Sequence, residues 1–203
     1  MELNTYPLVC TRGVVLYPNQ EIVIDVGRDT SVHAVENAQD NYDKKICLFS
    51  QKELEQENPG KEDIYSVGTL CEVRHIRRFD NFLRVKFRGI KRVKLNNWIN
   101  GSLSDLAEVE ILESEKQDAV EEEALIRMIA DELDRMQGQD RFVTKEIVME
   151  ISKGMGGEFL SDKAVQGLPL DIERKQQYLE TLGVNDRLMM LLLDEPNIRD
   201  VYA

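Results

Sequence analysis

The residues able to do chemistry are few and badly spaced for it. The only histidines, His33 and His75, stand far apart and make no H-x-x-x-H pair, so no metal site is expected. Cys10, Cys47 and Cys71 form neither a C-x-x-C site nor a dense disulfide framework; they fit reduced thiols of a cytoplasmic protein. The only Gly-Lys pair, Gly60-Lys61, is followed by Glu62 where a phosphate loop needs Ser or Thr. Gly154-Met155-Gly156-Gly157 lacks the third glycine of a dinucleotide loop, its place taken by Phe159, and suits a turn between helices. No G-x-S-x-G elbow occurs. What remains is a surface chemistry of charge and aromatic rings. Residues 74–94 hold nine basic residues against Asp80, with Phe79, Phe82 and Phe87 interleaved, whereas 105–134 hold twelve acids against Lys116 and Arg127. Cationic residues alternating with aromatics can track phosphates; equally, the two oppositely charged segments can face each other or stand as solvated faces.

These residues need a scaffold, and 203 residues with 42% apolar and 32% charged suffice for one large or two small cores. A net charge of −12 disfavours a dedicated nucleic-acid binder. The longest apolar run, Leu188 to Leu193, is far too short to span a bilayer, and no secretory signal is visible at Met1-Glu2-Leu3-Asn4.

The first half has strand character. Pro7–Thr11 is short and apolar; Glu21–Val26 is β-branched and nearly continuous, as in a strand buried on both faces. Asp29-Thr30-Ser31 offer capping oxygens to a helix running to about Gln39, and Lys45–Ser50 is a third strand. The alternation of Val67–Ile76 slips near Val73, predicting a bulge. Asp80-Asn81 suits a tight turn into Leu83, Val85 and Phe87, alternating with Arg84, Lys86 and Arg88; Gly89 interrupts the period. After Asn100-Gly101, Ala107, Val109 and Ile111 alternate with Glu108 and Glu110. About seven strands with one helix suggest a closed or nearly closed β-structure.

Near residue 114 the period changes. Leu125, Met128, Ile129, Leu133 and Met136 recur at helical spacing, as do Phe142, Val143, Ile147 and Ile151. Asp171 can cap a helix reaching about Leu182, and Asn185 or Asp186 can start another through Asp194. The expected fold class is α+β: a β-rich lobe over residues 1–114 and a helical bundle over residues 115–203.

Five collinear segments resemble one family. They are Arg12-Gly13-Val14-Val15-Leu16-Tyr17-Pro18, Val26-Gly27-Arg28-Asp29-Thr30-Ser31-Val32, and Asp63-Ile64-Tyr65-Ser66-Val67-Gly68-Thr69. Arg84 to Val93 is similar to that family's V-x-V-x-G-x-x-R stretch, and Leu168-Pro169-Leu170 through Lys175-Gln176 to Arg187-Leu188 resembles its helical region. Together they resemble the amino-terminal domain of bacterial Lon proteases. The chain departs from it at Val9-Cys10-Thr11, where an early proline is missing, and at the tip Phe79-Asp80-Asn81-Phe82.

The resemblance implies a PUA-like pseudo-barrel followed by a helical lobe. It implies recognition of unfolded or damaged proteins for an ATP-dependent protease, and assembly with other Lon subunits into a hexamer. No cofactor is expected in this chain; ATP and Mg belong to an ATPase module, and catalysis to a Ser-Lys protease domain, neither of which these residues contain. The isolated chain is expected to be a cytoplasmic monomer or weak dimer without membrane contact. A recogniser of unfolded chains needs exposed apolar surface on a rigid scaffold. Tyr17-Pro18, at a corner between strands, and Phe79 and Phe82, flanking a turn, are the candidates. Arg12, Arg28 and Arg92 suit fixed contacts to carboxylates within the lobe, and Leu188 suits bundle core or subunit contact. The alternative is a PUA-like nucleic-acid module using the basic 74–94 stretch.

Overall fold

The computed structural model describes residues 3–136, 149–151 and 153–202. The helical periodicity read at Phe142, Val143 and Ile147 lies outside them. The architecture is α+β, and the chain divides into two compact units, Met1–Glu113 and Ser114–Ala203.

In the first unit a six-stranded sheet carries one helix. Its elements are β1 (Asn4–Thr11), β2 (Glu21–Val26), α1 (Asp29–Asn41), β3 (Lys45–Ser50), β4 (Val67–Arg78), β5 (Leu83–Ile99) and β6 (Leu106–Leu112). Strand order is β2-β5-β4-β3-β1-β6, and β6 pairs back onto β5, so five strands form a closed ring. The 17-residue β5 makes this possible by serving two partners. Its first half, Leu83 to Arg88, pairs with β2, and its second half, Arg92 to Ile99, pairs with β6.

Between those halves the side chains must change face. The register of β4 against β5 shifts at Leu70/Cys71, opposite Gly89, so the break in alternation there is a bulge inside one continuous strand. A second shift at Val73/His75 is the bulge the sequence predicts. Two apolar clusters result. One gathers Phe49, Leu70, Val93, Leu95, Ala107 and Val109 inside the ring; the other gathers Val73, Leu83, Val85 and Phe87 with Val26 and the α1 residues Ala34, Val35 and Ala38. Residues of β1 and β3 alternate between the two, Leu8 and Cys47 in the first, Val9 and Ile46 in the second.

Gly89 also accepts the corner formed by residues 17–20. A Cβ there would lie 2.1 Å from the Tyr17 carbonyl oxygen. The two segments are stitched by Asn19 N to Gly89 O and Gly89 N to Gln20 O, both 2.9 Å. This corrects the expectation that Tyr17 and Pro18 stand out as an apolar patch: both are buried, Tyr17 completely, because the corner folds down onto β5 instead of leaving the core.

Two further readings change. β2 is an edge strand, not one buried on both faces: Ile22, Ile24 and Val26 turn inward, while Glu21, Val23 and Asp25 face out opposite Arg88, Lys86 and Arg84. Helix α1 starts at Arg28 as its N-cap with no side-chain cap, so the expected capping oxygens are not used that way.

The second unit contains α2 (Ala119–Met136), α3 (Gly157–Gly167), α4 (Ile172–Glu180) and α5 (Val184–Tyr202). Asp171 caps α4 as expected, its Oδ1 accepting from Arg174 N at 2.7 Å. Leu125 and Ile129 are buried, but Met128 points outward. The apolar row at residues 188–193 is only partly core: Leu188 and Leu191 are buried, Met190 and Leu192 partly so, and Met189 and Leu193 are exposed. Arg187, fully buried beside Asp162 at 3.8 Å, donates to the carbonyls of Thr181 and Leu182 and to Ser161 and Ser114. Among the described residues no helix is long and apolar enough to cross a membrane.

The contact at Gly89 has a measurable consequence. Gly89→Ala is expected to destabilise the first unit by about 3 kcal/mol or more, since the clash is with backbone that cannot rotate away. Denaturant unfolding reads this directly. Gly156→Ala, where a Cβ meets nothing within 4 Å, serves as the control.

Candidate protein-binding surface

The sequence places Phe79 and Phe82 on either side of a two-residue turn, and the structure closes it with a hydrogen bond from Phe79 N to Phe82 O, 2.9 Å. Their rings stack with centroids 4.6 Å apart and planes 11° from parallel. Both are only partly buried, because the hairpin tip has no layer of its own to cover them. The Arg77 guanidinium lies 5.0 Å from the Phe79 centroid, and Arg84 lies 5.3 and 5.7 Å from Phe79 and Phe82. Arg77 and Arg84 face each other across the hairpin, an unfavourable pairing of like charges. The aromatic faces and Asp25 relieve it: Asp25 accepts two hydrogen bonds of 2.7 Å from Arg84. Those bonds hold the Asp25 carboxyl below its ordinary 3.8.

Next to the tip, Gly27 lies against the Asn81 carbonyl and the Phe82 Cβ. Gly27 also lines a cleft of about 360 Å³ between the end of β1 (Val9 to Arg12) and the end of β2 (Ile24 to Val26). Gly27 thus lies between the aromatic tip and the cleft, although no tip residue lines the cleft itself. Arg28 stands in the cleft, donating to the Cys10 carbonyl at 3.3 Å and to the Gln51 side-chain oxygen. Arg28 and Arg12 both reach the Gln56 carbonyl, at 3.5 and 3.3 Å. Gln51 Nε2 donates to the same carbonyl at 2.8 Å, so three side chains pin the loop after β3. Burial, then the neighbouring Arg12 charge, lowers the Arg28 pKa. The Cys10 thiol is pushed up to about 12 by burial, which leaves it without nucleophilic character at neutral pH.

The candidate residues therefore separate. Phe79 and Phe82 come together as one surface element. Tyr17 and Pro18 are absent from it. Arg12 and Arg28 meet at the cleft, where their partners are carbonyls and Gln51 instead of the expected carboxylates. Arg92 is buried on β5, and Leu188 is buried in the helical unit. Gly27 and Gln51 were not singled out by the sequence; Gly27 carries only the signal of a strand end. Five of the nine cations of the basic stretch are matched: Arg74, Arg78, Arg84, Lys86 and Lys91 pair with Glu72, Glu36, Asp25, Glu21 and Glu113. Only Glu113 belongs to the acidic 105–134 segment, so most of these charges are matched by neighbouring strands and α1. Among the described residues no three His, Cys, Asp or Glu side chains are placed to hold a metal ion.

A closed five-stranded ring with an edge strand and an aromatic hairpin tip, followed by a helical bundle, is a fold seen in solved structures. The N-terminal domain of Mycobacterium avium complex Lon protease superposes with a TM-score of 0.76 at 19% identity, covering 95% of this chain and 98% of that one. The Lon N-terminal domain protein from Xanthomonas campestris gives 0.65 at 16% identity, covering 94% and 98%. The family model for the ATP-dependent protease La (LON) substrate-binding domain matches residues 5–193, and the chain belongs to that family. It is 32% identical over 196 residues to Lon protease of Brevibacillus choshinensis, spanning 96% of this chain and 25% of that protein. It is 29% identical over 186 residues to Lon protease 1 of Bacillus subtilis, spanning 91% and 24%. The chain thus spans about a quarter of the length of these relatives.

The depressed Asp25 carboxyl fixes a sign. A carboxylate favoured in the fold stabilises it above its ordinary pKa, and that contribution vanishes as pH falls through the lowered value. Asp25→Asn is expected to lower the unfolding midpoint at pH 7 and to leave it unchanged near pH 2. Denaturant melts at the two pH values test this.

Proposed function

We propose that this chain captures unfolded or damaged proteins for an ATP-dependent Lon-type protease, through apolar surface held on its β-rich unit. The observation that carries the reading is the stacked Phe79–Phe82 pair, only partly buried at a hairpin tip, with the cleft at Gly27 close by. Unfolded chains differ from folded ones by exposed apolar and aromatic groups, and a flat aromatic face binds many of them at low entropic cost. Arginines over the rings enlarge the adhesive surface and discourage the tips of two molecules from stacking on each other. Weak single contacts suffice if several copies act together, as in a hexamer of full-length subunits.

In this reading the chain is non-catalytic, and ATP, Mg and the protease nucleophile belong to other parts of a longer bacterial cytoplasmic protein. The isolated chain is a monomer or weak dimer. The nucleic-acid alternative draws less support, since six of its nine cations are engaged by neighbouring acids or by the aromatic tip.

The test is an NMR titration of the isotope-labelled chain with a permanently unfolded, apolar-rich protein at low and high salt. Shifts are expected at Arg77 to Arg84 and at Gly27, with affinity changing little between about 0.1 and 1 M salt. Replacing Phe79 and Phe82 together by Ala should weaken binding about tenfold while lowering the melting temperature by only a few degrees, from the lost stack, so that the chain stays folded at about 25 °C. Unchanged affinity in the double variant, or binding abolished by salt, would sink the apolar-capture reading; the second result would favour the charge-driven one.

A further inference from the structure

We propose that the open edge of β2 accepts an extended polypeptide as an added strand, with a carboxylate of that polypeptide held by Arg12 and Arg28 in the adjoining cleft. The proposal rests on the capture function above and specifies how the captured chain is held.

Among the described residues β2 pairs with β5 on one side only, so the main-chain groups of its other edge are available. The cleft separates that edge from β1, where a second opening exists. Leu8 N donates to the Asp105 carbonyl, beside β6. Backbone groups two residues apart along a strand point the same way, so Cys10 directs its N–H and C=O to that side too, beyond the last β1–β6 pair at Pro7–Leu106. The Cys10 carbonyl is met there by Arg28, not by a strand. The ring that β6 seals at one end is thus unsealed by strands at the other.

The charge of the gap selects the occupant. Arg74, Arg78 and Arg84 of this unit's hairpin each have a carboxylate within ion-pair reach. Arg12 and Arg28 show none among the described residues, and stand close enough for one charge to disfavour the other. An incoming carboxylate, terminal or from Asp or Glu, relieves that repulsion and finds further N–H groups: among the described residues Arg12 gives one hydrogen bond, to Gln56. Val9, Ile24 and Val26 line the same cleft and suit an apolar side chain. Strand addition draws its affinity from the main chain and so tolerates sequence.

The test uses the labelled 203-residue chain and a synthetic eight-residue peptide of alternating valine and threonine, made with a free C-terminal carboxylate or as its amide. The free acid is expected to slow amide exchange across Glu21–Val26 and at Cys10 at least about fivefold at saturation, to shift Arg12 and Arg28, and to bind about tenfold more tightly than the amide. Arg12→Gln, an exposed site with one hydrogen bond to lose, should erase the acid–amide difference while the amide still protects β2. Equal affinity of acid and amide overturns the carboxylate site. Binding that leaves Glu21–Val26 unprotected overturns strand addition; if the unfolded protein still perturbs Phe79 and Phe82, the capture reading survives that failure. Protection of β2 that rises with protein concentration alone assigns the edge to a second copy of this chain and likewise overturns the proposal.

Discussion

The first unit depends on one close approach, the seating of the Tyr17–Gln20 corner on Gly89. At that point β5 leaves β2 and takes up β6, its side chains change face, and the chain passes from one apolar cluster to the other. A residue with any side chain at position 89 would push the corner off the strand. The corner's burial, the bulge beside it and the two-partner use of β5 are one constraint seen three ways. The aromatic tip inherits its rigidity from it, because the hairpin that carries the rings is the free end of the same strand pair.

The parts that were legible in the sequence are those governed by near neighbours. The hairpin turn at Asp80-Asn81, the slip near Val73, the alternation of β5 and the Asp171 cap all follow from residues within a few positions of one another. The position of Tyr17 does not. Its burial is decided by contact with a glycine more than seventy residues away, and nothing in the local pattern of Leu16-Tyr17-Pro18 encodes that partner. The β-branched run of β2 reads as doubly buried, because the exposed Val23 has the composition of a core residue; only the pairing with β5 settles which face it takes.

The arginines illustrate a second limit. Their side chains were expected to find carboxylates, since carboxylates can be seen in a sequence. Arg12 and Arg28 instead find main-chain carbonyls, which every residue possesses and no pattern marks. Several of the outer hairpin cations find acids, but on the adjacent strands and α1, so a strongly basic segment of sequence is less basic as a surface in space. Segment charge is a sum along the chain, whereas a partner meets the sum over a patch.

The sharing of β1 and β3 between two apolar clusters has a kinetic corollary. These strands present no solvated face, and each cluster alone leaves half of their apolar side chains in water. Neither cluster is a stable stopping place, so residues 3–113 are bound to gain or lose their structure in a single cooperative step. The parallel β1–β3 pair joins segments about forty residues apart, and its closure entropy must be met before either cluster repays it. Formation of this unit is therefore slow relative to a helical bundle of similar size, and its nascent β3, Ile46-Cys47-Leu48-Phe49, spends that interval as the kind of exposed apolar segment that quality-control proteases themselves bind.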